Sequence, residues 1–177
     1  AQIITYGTMA AKSSIADVAR VMDLPLDASR MLTKLVPEKP GINLKRVLHA
    51  PLTENDKTGD SEISLTEKEQ LNSDDLESVK KLRTIYEEDE QLGKILKEAE
   101  ILEGSVRNTG IHASAIIIAP KDLTELLPVA TSKESELWLT QIEGNSIEEA
   151  GVIKMDFLGL KTLSILKTAL QLIKQNH

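Results

Sequence analysis

The sequence predicts an α+β protein, with helices first and a smaller strand-containing part after them. Three observations support this. Up to Gly104 the apolar residues recur at helical spacing. Beyond Arg107 the apolar runs become short, β-branched and bounded by Pro or Gly. With 177 residues, 41% of them apolar, the chain can bury a core of one domain or slightly more.

The elements follow in order. The opening Ala-Gln-Ile-Ile-Thr-Tyr-Gly is a short apolar run without an initiator Met, as expected of a processed product or an excised piece. Thr8 is placed to cap a helix from Met9 to about Met22, with Ala11, Ile15, Val18 and Met22 on one face. Pro25 stops it. Asp27 can cap a second helix, 28–35, which ends before Pro37. Residues 37–41 form a turn, and Asn43 caps a third helix, 44–49.

Residues 51–66 include Lys-Thr-Gly-Asp and lack periodicity, which predicts a loop with at most a short helix near its end. Ser73 caps a helix through Tyr86. Asp89 leads another, with Leu92, Ile95, Leu96 and Ala99 on one side and Gly104 as its stop. Strands are expected at 113–119, 137–142 and 152–157, the second followed by a Gly-Asn turn. A last helix runs from Leu160 to about Gln175, with Leu163, Leu166, Leu170 and Ile173 on one face.

Composition narrows the chemistry. There is no Cys, which excludes disulfides, thiolate metal sites and a Cys nucleophile. No run reaches the ~18 apolar residues of a membrane span, and no signal-peptide pattern opens the chain. A cytoplasmic setting is expected. The net charge of −7 argues against nucleic acid only if it is uniform. It is not: residues 1–50 hold seven basic and four acidic residues, while 51–100 hold seven and fifteen. The middle acidic excess reads first as a solvated helical face.

Three segments could carry chemistry. In Val152-Ile153-Lys154-Met155-Asp156-Phe157, strand alternation puts Ile153, Met155 and Phe157 on a face that wants a core. Lys154 and Asp156 share the other face, either as a structural ion pair or a solvent-exposed sheet face, or as a metal-ligating carboxylate beside a phosphate-seeking ammonium. Arg107-Asn108-Thr109-Gly110-Ile111-His112-Ala113 reads as a helix-to-strand turn, or as a loop that contacts phosphates. Around Gly7, the donors Thr8, Lys12, Ser13 and Ser14 crowd a helix start, either as an anion site without P-loop spacing or as an ordinary small-residue helix packed tightly on a neighbour. Lys34, Lys39, Lys45 and Arg46 extend a mildly basic stretch. The chain lacks His-Glu-x-x-His, Gly-x-Ser-x-Gly and dinucleotide glycine motifs.

Taken together, four runs resemble the catalytic alpha subunits of bacterial DNA polymerase III, the C-family replicative polymerases. They are residues 1–12, Lys-Leu-Val-Pro (34–37), Arg-Asn-Thr-Gly-Ile-His-Ala (107–113) and Lys-Met-Asp-Phe-Leu-Gly-Leu (154–160). The resemblance covers a small internal slice of that family. It implies a polymerase-beta-like nucleotidyltransferase palm interrupted by a helical thumb. Residues 1–7 would end the first palm segment and 8–105 would be thumb, with an acidic insertion near 50–80. Residues 106–160 would be the second palm segment, and 161–177 a helix leading toward the fingers.

It also implies two-metal phosphoryl transfer with Mg2+. Asp156 would be the third of three metal-binding acids and Lys154 its basic neighbour. The other two acids lie in an Asp-x-Asp motif that has no match here. Arg107, Asn108, His112, Thr8, Lys12, Ser13, Lys45 and Arg46 would be candidate DNA or nucleotide contacts. Primer-template DNA and a deoxynucleoside triphosphate would be the partners of the intact enzyme. Other replicase subunits, including the sliding clamp, would bind outside this chain, and no membrane is involved. The fragment alone would be inactive. The rival expectation is a non-catalytic α+β interaction module with an acidic helical face, in which Lys154 and Asp156 are merely paired. Whether Asp156 faces open surface discriminates the two.

Overall fold

The computed structural model describes residues 1–56, 63–133 and 135–176. It is mixed α and β, as the sequence predicts, and divides into two compact units. One consists of residues 1–6 and 108–177; the other, residues 7–107, is inserted between those two pieces. The Lys-Thr-Gly-Asp stretch at 57–60 and His177 lie outside the described residues.

The inserted unit is helical. Its elements are α1 (Ala11–Val21), α2 (Leu26–Leu35), α3 (Leu44–His49), a single 3-10 turn (Glu54–Asp56), α4 (Leu65–Lys68), α5 (Ser73–Glu88) and α6 (Glu90–Leu102). Thr8 does not cap α1. It ends the first strand, and α1 begins after Ala10, whose backbone N–H donates to Ser13 Oγ at 2.9 Å. Pro25, not Asp27, occupies the cap position of α2; Asp27 lies in the first turn, where its charge suits the dipole. Asn43 and Asp89 cap α3 and α6 with their side chains as expected, and Asn72 caps α5 one residue before Ser73. Gly104 adopts φ +83°, the left-handed conformation that stops α6.

Helical spacing puts Ala11, Ile15 and Val18 into one buried cluster with Leu32, Leu44, Val47, Leu82, Ile95 and Leu96. Two charged groups help close this core. Arg83 donates to the carbonyls of Val47 and Ala50, satisfying the end of α3. The Glu103 carboxylate accepts the backbone N–H of Leu44 at 2.8 and 2.9 Å, at its start.

The other unit is built on a five-stranded sheet in the order β3-β4-β1-β2-β5. The strands are β1 (Gln2–Thr8), β2 (Val106–Ile118), β3 (Val129–Ser132), β4 (Ser135–Glu143) and β5 (Ile153–Asp156). β1 pairs parallel with β4, while β3–β4 and β2–β5 are antiparallel. β1 and β2 also run in opposite directions: Ile117 donates to Ala1, and Met9 donates to Ser105. The β1–β4 register slips between Gln2 and Ile4. The Ile4 N–H bonds there to the buried Thr140 hydroxyl, which itself donates to the Ile142 carbonyl.

Two expectations are corrected. Residues 107–113 are neither turn nor loop but the first half of β2, whose 13 residues were expected to start at 113. The second concerns β5. Ile153, Met155 and Phe157 are 62%, 44% and 64% exposed, so the apolar face does not reach a core. Cross-strand pairing shows why. Lys154 and Asp156 stand opposite Ile117 and Ala115, which belong to the small core with Ile3, Leu123, Leu127, Ile147 and Val152. The face of β5 that pairs over the small core is thus the one bearing the charges, with Lys154 partly covered and Asp156 exposed at the strand end. Met155 and Ile153 stand opposite Ile116 and Ile118 on the open face. The last helix, α7 (Lys161–Asn176), forms as expected, yet Leu163, Leu166, Leu170 and Ile173 are all exposed.

Candidate functional site

The sheet unit brings together three of the residues singled out by sequence: His112 on β2, and Lys154 and Asp156 on β5. Asp156 is the most accessible. Its side chain is 52% exposed, against 23% for Lys154 and 30% for His112. Lys154 Nζ lies 3.8 Å from Asp156 Oδ2. That is a Coulombic contact too long for a hydrogen bond, so the carboxylate is oriented but not consumed. The far end of the Lys154 side chain lies beside Gly144, and its ammonium points toward the acid.

His112 folds back on its own strand. Its Nδ1 accepts the backbone N–H of Ala115 at 3.0 Å and of Ser114 at 3.3 Å. A nitrogen that accepts two N–H bonds carries no proton, which places the imidazole proton on Nε2. The 4.0 Å approach of His112 Nδ1 to Asp156 Oδ1 is therefore no ion pair. The His112 Nδ1 is thus tied to the backbone of its own strand, which fixes the ring beside Asp156. Asp156 is pinned by none of its neighbours, and its oxygens keep lone pairs for a hard cation. No cluster of three or more His, Cys, Asp or Glu side chains able to hold a metal occurs among the described residues. Asp156 fits as one oxygen ligand of a divalent ion but does not make a site by itself.

The remaining candidates are placed otherwise. Asn108 is exposed on β2. In the helical unit, Lys12 pairs with Glu38 at 2.9 Å, and the Ser13 hydroxyl is bonded to the backbone of Ala10. Arg46 is held by Glu69 at 2.6 Å and by the Ile63 carbonyl at 2.8 Å. Thr8 and Lys45 are exposed. Arg107 forms a two-bond contact with Asp17, at 2.8 and 3.1 Å. Sequence reasoning missed Asp17, which also accepts from Arg20. The Asp17–Arg20 spacing of three on a helix was a visible signal, but nothing local joins Asp17 to Arg107 across 90 positions.

The sheet unit thus carries an exposed acid beside a lysine and an imidazole, and the helical unit is inserted between its first two strands. Comparison with known proteins gives the family. The family described as bacterial DNA polymerase III alpha NTPase domain matches residues 1–159. The chain is 41% identical over its whole length to the DNA polymerase III subunit alpha of Aquifex aeolicus, of which it covers 15%. It is 36% identical to the Escherichia coli subunit over 99% of its length, covering 13% of that protein. For the Vibrio cholerae subunit it is 35% identical over 97%, covering 12%. The chain belongs to the bacterial DNA polymerase III alpha family, and it spans a small part of these relatives. No helix among the described residues is long and apolar enough to cross a membrane.

Proposed function

We propose that this chain is part of the catalytic core of a bacterial replicative DNA polymerase, with Asp156 as one of its metal-binding acids. The observation that carries the reading is the state of Asp156: half exposed, beside Lys154 and His112, and hydrogen-bonded to neither. A purely structural pair would be closer and more buried, which favours the catalytic reading over the interaction module. The reaction class of this reading is transfer of a nucleotidyl group to a primer hydroxyl, the chemistry of the polymerase family to which the chain belongs.

In this reading the sheet unit is palm and the inserted helical unit is thumb, with α7 leading toward the fingers. Asp156 would hold Mg2+ together with acids from outside the chain. Bound magnesium supplies Lewis-acid activation and neutralises charge on the triphosphate. The chain's own residues supply the rest. Lys154 stands beside the Asp156 carboxylate and offers its ammonium to a phosphate oxygen. His112, its ring held in place by the Ser114 and Ala115 amides, offers its other ring nitrogen to an anionic oxygen. Asn108 and Arg107 are the next candidates for nucleic-acid contact. Primer-template DNA and a deoxynucleoside triphosphate are the proposed partners of the full-length protein. The 177-residue chain alone does not polymerise, because its acids are incomplete.

The test is Asp156→Asn in the full-length polymerase. Incorporation should fall by about a thousandfold or more, the scale of losing preorganised charge stabilisation, with the circular dichroism spectrum unchanged. Near-normal incorporation by the variant would remove Asp156 from the metal site.

A further inference from the structure

The helical unit carries an open pocket of about 690 Å³ between α1 and α6, within the size range of small-molecule sites. The proposed phosphoryl chemistry does not use it. Val18, Met22, Met9 and Leu102 give it apolar walls. Its polar groups are charged: Asp17, Arg20 and Arg107 form one cluster, and Lys94 and Glu98 come from α6.

The charge arithmetic identifies the ligand class. Asp17, with a side chain only 14% exposed, is shared by two guanidiniums, so one positive charge in that cluster is left over. Lys94 and Glu98 offset each other, so the lining carries one net positive charge. Arg107 uses Nε and Nη2 on Asp17 and Arg20 uses Nη2, which leaves Nη1 of both guanidiniums with donors to spare. A nucleic-acid backbone would meet those donors but would have no use for the apolar walls. A small molecule with an apolar body and a single carboxylate satisfies both.

We propose that this pocket binds a small amphipathic monocarboxylate, its carboxylate on Arg107 and Arg20 and its body against Val18, Met22 and Met9. The four methionines make the idea testable in the full 177-residue chain. Met9 and Met22 line the pocket, Met31 lies on α2, and Met155 lies on the open face of β5. With the methionine methyls labelled with carbon-13, titration with 2-naphthoate should shift Met9 and Met22 saturably and leave Met31 and Met155 in place.

Two controls should bind less tightly. The neutral analogue 2-naphthalenemethanol lacks the anion. Arg20→Gln, at an exposed position, should weaken naphthoate by about two- to fivefold, the value of an exposed ion pair. The unliganded methyl spectrum reports that the variant is folded. Equal shifts at all four methyls, shifts at Met155 alone, or equal affinity for the neutral analogue would each overturn the proposal.

Discussion

Lys154, Asp156 and His112 show how a residue's role is set by what its polar atoms are already doing. His112 has spent its acceptor on two backbone amides, and Asp156 has spent nothing. Gln2 is the opposite case: its Oε1 is buried without a partner among the described residues. An unsatisfied buried acceptor costs about 1–3 kcal/mol. Gln2→Met keeps the length and removes the acceptor, so it should stabilise the chain by about 1 kcal/mol in urea unfolding. A destabilised variant would mean that the amide makes a bond that counts. At this scale the site was partly legible. Alternation along 152–157 set Lys154 and Asp156 on one face correctly. It could not say which face is covered, because that depends on Ile117 and Ala115 of a strand some 40 positions away. Nor could it foresee the His112 fold-back, which follows from backbone amides and not from residue type.

Among the elements, the helices were the most legible, since capping residues and a 3.6 period are local signals. The strands were less so. β1 was seen only as an apolar run, and β3 was not anticipated, since four residues carry little pattern. The first half of β2 reads as a turn because it is polar and contains Gly110. Yet that glycine suits a strand: a Cβ there would lie 2.9 Å from Thr5 Oγ1 on β1, a side-chain atom that would have to turn aside. Gly93 makes a similar demand between helices. A Cβ would stand 2.7 Å from the Tyr86 carbonyl oxygen, a backbone atom of α5 that cannot swing aside. Ala is the better helix former by about 1 kcal/mol, but overpacking costs about 1–3. Gly93→Ala should therefore lower the urea midpoint; a raised midpoint would show that α5 and α6 have room to separate.

For the molecule as a whole, the net charge of −7 is tempered by carboxylates with local partners. Glu38 is held below its ordinary 4.5 by a hydrogen bond and then by charge from Lys12, and Glu77 likewise by Lys81. Asp56 is held below 3.8 by Thr53, and Asp122 by Thr124. Because each folded value lies below the unfolded one, the unfolded chain binds more protons in this window. The stabilisation is complete above the ordinary values and is lost as pH falls through the folded ones. Stability should decline below about pH 4, the ordinary carboxylate range. The decline should be shallower in Asp122→Asn, read by denaturant unfolding across pH; an identical slope would mean that Asp122 contributes nothing there.

The same scale holds one consequence for how the chain folds. β1 and β2 are antiparallel neighbours, yet the helical unit separates them in sequence. Left to diffusion, they would have to close a loop of about a hundred residues. Met9 and Ser105, and Gly104 and Met9, are joined by backbone hydrogen bonds at the base of that unit. Once the helices have folded, the loop is effectively a tight turn. With each doubling of loop length costing ~0.6 kcal/mol, that shortening removes about 3 kcal/mol of closure entropy. The helical insertion is thus a folded hairpin turn: whenever it is formed, it holds the ends of β1 and β2 in the register in which they pair.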